Sequence, residues 1–120
     1  MIFDVHHLAS ALLEAFSTSD LREVEARCRQ DVVVFGTDQN EQWFSRDDLL
    51  RALDDMRDAG LSARWSLTPI CHRNWAAGTA LYHMHDGSEV PVRVSMMFED
   101  SLLAHAHFSV GVTEKLAPST

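Results

Sequence analysis

Apolar residues recur every three to four positions at the start of the chain. Val5, Leu8, Ala9, Leu12, Leu13 and Phe16 form one stripe of an amphipathic helix, with Asp4 placed to cap it. Ser17-Thr18-Ser19-Asp20 supplies hydroxyls and a carboxylate to cap a second, shorter helix with the stripe Leu21, Val24 and Cys28. Val32-Val33-Val34-Phe35 is a β-branched run too short for a helix and ended by Gly36, so a buried strand is expected. A polar turn follows at Thr37-Asp38-Gln39-Asn40. Ser45 and Asp48 then mark a capping-box-like start for a third helix through Leu49, Leu50, Leu53 and Met56, which stops at Gly60.

From Leu61 onward the period changes to two. Strands are predicted at about 62–72, 75–85, 89–98 and 102–112, with turns at His72-Arg73-Asn74, Asp86-Gly87-Ser88 and Asp100-Ser101. Helices first and an antiparallel meander after is the order of an α+β domain, its helices packed on one face of a curved antiparallel sheet. The 120 residues suit one domain, expected over 1–113 with a loose tail at 114–120, because two halves would each be too small to bury a core.

Composition narrows the function classes. Hydrophobic residues at 46% and charged residues at 23% fit an ordinary soluble domain. A formal charge of −8 with no basic stripe argues against nucleic acid and against an anionic membrane surface. Met1-Ile2-Phe3-Asp4 lacks the basic start of a signal peptide and no stretch of spanning length follows, so a cytoplasmic location is expected. Cys28 and Cys71 form no CxxC pattern and read as core thiols of a reduced protein. Nucleophile motifs, phosphate loops and dinucleotide fingerprints are missing, and no cofactor is expected.

Three local patterns resemble the SnoaL-like branch of the nuclear transport factor 2-like superfamily. The first runs from Asp20-Leu21 through Asp31-Val32-Val33-Val34-Phe35-Gly36-Thr37-Asp38 to Glu41, Trp43 and Ser45-Arg46-Asp47-Asp48-Leu49, with Ser45 where the family carries a glycine. The second is Pro91-Val92-Arg93-Val94-Ser95, similar to a family strand with an arginine two before a threonine or serine. The third is His105-Ala106-His107-Phe108-Ser109, similar to the last strand of the family and of the hub domain of calcium/calmodulin-dependent protein kinase. Ser101-Leu102 stands where that strand usually opens on a tryptophan. The resemblance implies a cone of curved sheet and helices enclosing a pocket, usually in a dimer. It implies no single activity, since the superfamily includes isomerases, dehydratases, cyclases, hubs and transport adaptors.

Strand pairing extends this reading. With Asp100-Ser101 as a two-residue turn and a regular ladder, Met97 pairs with Ala104, Ser95 with Ala106 and Arg93 with Phe108. With a bulged three-residue turn at Asp86-Gly87-Ser88, His85 pairs with Glu89, His83 with Pro91 and Leu81 with Arg93. A two-residue turn there would send both histidines to the other face. Leu81, His83, Arg93, Ser95 and Phe108 are then expected to share a concavity, with Trp65 in its wall. The resemblance agrees, because the matching arginine lines the hub domain's pocket. The opposite face, carrying Val94, Met96, His105 and His107, would leave a large apolar patch and is expected to pack on a second subunit.

The ligand expected from this arrangement is small and partly apolar, with an acidic group as the candidate partner for Arg93. The alternatives are a cofactor-free isomerase, dehydratase or cyclase with His83 or Asp38 as base, or a protein assembly module. Asp38 and Glu41 are the carboxylates an acid-base reading would use. The pairs His83-x-His85 and His105-x-His107 have zinc-compatible spacing but fall on opposite faces without a third ligand, so no metal is expected.

Overall fold

The computed structural model describes residues 4–37, 40–56 and 62–110. Helix α1 (Val5–Thr18) starts where Asp4 accepts a hydrogen bond from the His7 amide, 3.1 Å away. It ends at Ser19, which takes the left-handed conformation with φ of 56°. Asp20 caps α2 (Leu21–Arg27) by accepting from the Glu23 amide, and Ser45 caps α3 (Arg46–Asp55) by accepting from the Asp48 amide. The polar residues that mark the three helix starts in the sequence thus do the capping. Cys28 departs from the helical stripe expected of it. It is the first residue of β1 (Cys28–Phe35), fully buried, and burial pushes its thiol pKa up to about 12.

A guanidinium secures that helix-to-strand junction. Arg46 Nη1 donates to the carbonyls of Glu25 and Cys28 at 3.4 and 3.3 Å, covering the C-terminal end of α2. The remaining strands are β2 (Gln42–Trp43), β3 (Ser62–Trp65), β4 (Ile70–His72), β5 (Trp75–His83), β6 (Glu89–Glu99) and β7 (Leu102–Val110). The strand expected at 62–72 is split in two. Pro69 cannot donate to a ladder, and both the amide and the hydroxyl of Ser66 turn to the Thr79 carbonyl instead.

The seven strands of the described residues join one curved, unclosed sheet in the order β2-β1-β7-β6-β5-β3, with β4 also on β5. The sheet is mixed, because β1 runs parallel to β7 while every other pair is antiparallel. Helix α1 packs over β3 and β5, and α3 over β1. Along β6 the two faces separate cleanly. Val92, Val94, Met96 and Phe98 are at most 4% exposed beneath the helices, whereas Pro91, Arg93, Ser95 and Met97 point outward. The apolar face therefore serves the protein's own core. Val94 and Met96, expected at a subunit interface, are interior residues.

Two registers decide which side chains meet. Asp100-Ser101 is the two-residue turn expected, both residues at positive φ, and it pairs Glu99 with Leu102. The ladder then carries a bulge: Phe98 pairs with Leu103 but Met97 pairs with His105, leaving Ala104 as the extra residue. Beyond it Arg93 faces Ser109, not Phe108, and Val94 faces Phe108. Across the other hairpin His83 pairs with Glu89, Leu81 with Pro91 and Thr79 with Arg93. That ladder is shifted by two positions from the expected one, so His83 and Leu81 keep Arg93's face while His85 lies in the loop.

Candidate functional site

A cavity of about 250 Å³ lies between the apolar sheet face and the helices. Phe16 of α1 and Phe108 of β7 make its floor, their ring centroids 5.2 Å apart and nearly perpendicular. Leu49 and Leu53 of α3 form one wall, Val92 of β6 and Tyr82 of β5 another. Trp43 of β2 closes the side toward the Gly36–Glu41 loop. The lining is apolar because it is made of core-facing positions from each element: the helix stripes and the inward residues of alternating strands.

Few polar groups enter it. Ser17 donates its hydroxyl to the Glu14 carbonyl, and Ser19 donates to the Met56 carbonyl. Desolvation raises the Tyr82 phenol pKa well above its ordinary value, so the hydroxyl stays neutral and able to donate. Among the described residues that line the cavity, Glu41 is the one charged side chain. Its Oε1 accepts from the Thr37 hydroxyl at 3.2 Å, and its carbonyl accepts from the Gly36 amide at 2.6 Å. Gly36 makes that placement feasible, since a Cβ there would stand 2.5 Å from Glu41 Oε1.

Of Leu81, His83, Arg93, Ser95 and Phe108, expected to share a pocket, one lines this cavity and the others lie on the opposite side of the sheet. Phe108 lines the cavity; Arg93 and Ser95 lie on the outer sheet face, in a shallow depression with Thr79, His107 and Ser109. Leu81 pairs with Pro91 on that same outer side. His83, expected as a base, is exposed, with Nδ1 3.8 Å from the Glu89 carboxylate that also takes Arg64 at 3.1 Å. Trp65 ties β3 to α1 through a 3.0 Å hydrogen bond from its indole N–H to Ser10 and does not line the cavity. Asp38 lies outside the described residues. His105 and His107 are on the outer face, their rings 5.6 and 5.8 Å from that of Phe35. Among the described residues no three histidine, cysteine or acidic side chains gather as metal ligands would. Nor is any described helix long and apolar enough to cross a membrane.

The bulge at Ala104 is what separates Phe108 from Arg93, since it exchanges the faces of every β7 residue beyond it. The sequence pattern names Glu41 and Trp43 but does not single out Tyr82 or Val92. Their signal is the in-register alternation Gly78, Ala80, Tyr82 and Val90, Val92, Val94 on facing strands.

Residues 5–113 match the SnoaL-like domain over nearly the whole chain. The chain belongs to the SnoaL-like family. Its fold is that of the nuclear transport factor 2-like superfamily, as the solved structures also show. A candidate ketosteroid isomerase from Kribbella flavida is similar over 89% of this chain and 77% of its own, with a TM-score of 0.74 at 16% identity. A candidate SnoaL-like isomerase from Agrobacterium tumefaciens covers 88% and 95% with a TM-score of 0.73 at 12% identity. A protein with a ketosteroid isomerase-like fold from Catenulispora acidiphila, in complex with trimethylamine, covers 95% and 92% with a TM-score of 0.73 at 11% identity. At such identities the likeness is one of fold. No curated protein matches this sequence.

Proposed function

We propose that the chain binds a small, largely apolar molecule in the cavity between α1, α3 and the sheet. The observation that carries this is an apolar hollow of about 250 Å³ with one oriented carboxylate among its described lining residues. Ligand pockets combine apolar walls with a few placed polar groups in this way. The volume sits just under the usual range of about 300–1,000 Å³, so a one-ring ligand suits it better than a fused polycycle. The Catenulispora protein, of the same fold, holds a small molecule, which supports the reading. An acidic ligand loses its support, because Arg93, its expected partner, lies on the other side of the sheet.

Titration with benzyl alcohol followed by amide ¹H–¹⁵N shifts tests the location. Shifts are expected at Val34, Tyr82, Val92 and Phe108. Shifts centred on Arg93, Ser95 and His107 instead would move the site to the outer face and end the proposal.

Proton transfer is the second reading, favoured by a carboxylate and a neutral phenol lining one cavity. Glu41 would take a proton α to a carbonyl while Tyr82 donates to the enolate oxygen. Exchange of the α-hydrogens of cyclohexanone in D₂O, read by NMR, should then exceed the buffer rate and fall on the order of 100-fold in Glu41→Gln. An unchanged rate in that variant would remove Glu41 as the base.

A further inference from the structure

We propose that the outer face of the sheet carries a second binding site, one for a phosphate group, either free or borne by a small organic ester. Its place is the shallow depression of about 360 Å³ on β5, β6 and β7, across the sheet from the apolar cavity. The site stands independently of the cavity reading. Strand register assembles it in two rows. In the first, Arg93 of β6 lies directly between Thr79 of β5 and Ser109 of β7. In the next, Ser95 of β6 lies beside His107 of β7, with Ala77 of β5 on its other side. Cross-strand neighbours hold their Cβ atoms about 4.5–5.5 Å apart, so a guanidinium, three hydroxyls and an imidazole meet over one small patch. The bulge at Ala104 is part of this construction. Without it, Phe108 and Ala106 would take the two β7 places.

Each of these groups can donate a hydrogen bond, which points to an oxyanion as the partner. Arg93 presents a rigid fork of N–H groups, a geometry matched to phosphate and carboxylate oxygens. Thr79 and Ser109 flank that fork on both sides, and Ser95 and His107 add donors one row along. A planar carboxylate has two oxygens and is saturated by the fork alone. A phosphate directs its oxygens to several sides, enough for the fork and the flanking hydroxyls together. Among the described residues that line the depression there is no carboxylate. Glu89 and Glu99, which share this face of β6, lie roughly 13 and 20 Å from Arg93 along an extended strand. Arg64 already holds Glu89 at 3.1 Å. The chain's net charge of −8 repels anions at a distance, but screening over about 8 Å at physiological ionic strength leaves the guanidinium to decide at contact. Ala77 and its partner Ile70 of β4 form an apolar border, where the organic part of an ester would rest.

Amide ¹H–¹⁵N shift titrations with inorganic phosphate, phenyl phosphate and benzoate, at constant ionic strength, test this. Both phosphates should shift Thr79, Arg93, Ser95, His107 and Ser109 along saturating curves. Benzoate should bind about 10-fold or more weakly than phenyl phosphate, the cost of losing one charge-assisted hydrogen bond. Tighter binding of phenyl phosphate than of inorganic phosphate assigns an ester, equal affinity assigns the free ion, and both support the site. Arg93→Met keeps the apolar stem of an exposed side chain and should weaken both phosphates about 10-fold or more, with unchanged cavity amides reporting that the variant is folded. Arg64→Met removes a guanidinium from the same face outside the depression and should leave phosphate affinity as it was, which separates a built site from general attraction to positive charge. Shifts that chloride reproduces, affinity unchanged in Arg93→Met, an equal loss in Arg64→Met, or benzoate as tight as phenyl phosphate would overturn the inference. So would light scattering that shows a dimer whose amides at these five residues ignore phosphate, because the face is then an interface between copies of the chain.

Discussion

Met96→Glu is expected to yield no folded, soluble protein. Met96 is 1% exposed and sits on β6 between its cross-strand partners Ala76 and Ala106, both fully buried. A carboxylate there either loses its hydration in the core, at several kcal/mol even after relaxation, or takes up a proton and stays buried as a polar group without a designed partner. Loss of the methionine's own burial adds roughly 1.5–3 kcal/mol. Against a total stability of about 5–15 kcal/mol, the sum is enough to empty the native state. The neighbouring Met97→Glu is the control. Met97 is 40% exposed on the outer face, and a charge there should shift stability by no more than about 0.5 kcal/mol. Soluble yield and thermal melting of the two variants, side by side, read the difference. A cooperative melt from Met96→Glu would mean that the helices do not cover this face.

That contrast marks where the sequence can be read and where it cannot. The helices were legible because their signals are local. Asp4, Asp20 and Ser45 each lie within three residues of the amide they cap, and the stripe from Val5 to Phe16 needs no partner to be recognised. The Asp100-Ser101 turn was legible for the same reason: two small or acidic residues between apolar runs suit the positive φ that such a turn demands. The family resemblance rested on the order of these local features, and it led to the right fold.

Non-local pairing was not legible. Nothing about Ala104, an alanine within an apolar strand, announces a bulge, yet it decides whether Phe108 or His107 faces the core. Parallel pairing of β1 with β7 joins residues some seventy positions apart and leaves no mark in either strand. The candidate site failed on a further point. A cluster of Arg93, His83 and Ser95 looks like a pocket because it is polar, but the helices' apolar stripes need the sheet's apolar face, so the polar cluster must go outward. The cavity is what remains between two apolar surfaces that do not quite meet. Glu41 enters it only because a two-residue strand, Gln42–Trp43, folds back on Val34 and Phe35.

Phe108→Ala should cost about 3–5 kcal/mol, the usual loss for deleting a buried ring, and should make the protein's stability depend on ligand. Phe108 is 7% exposed and packs edge-to-face on Phe16, a contact that itself contributes on the order of 1 kcal/mol beyond area burial. Its removal does not leave an isolated void. The space opens into the existing hollow of about 250 Å³, whose lining of Leu49, Leu53 and Val92 cannot collapse without moving α3 against the sheet. A one-ring molecule such as benzyl alcohol can therefore replace the lost side chain, and binding to the native state alone raises the melting temperature by mass action. The expected result is a variant that melts well below wild type and recovers part of the loss as benzyl alcohol is added, with a larger upward shift than wild type shows. Phe16→Ala should behave alike, and the double variant should lose less than the sum, because the edge-to-face contact can be removed only once. If instead Phe108→Ala melts like wild type, Phe108 faces solvent, the β7 register is the unbulged one, and Phe108 lies beside Arg93 on the outer face as its partner across the strand.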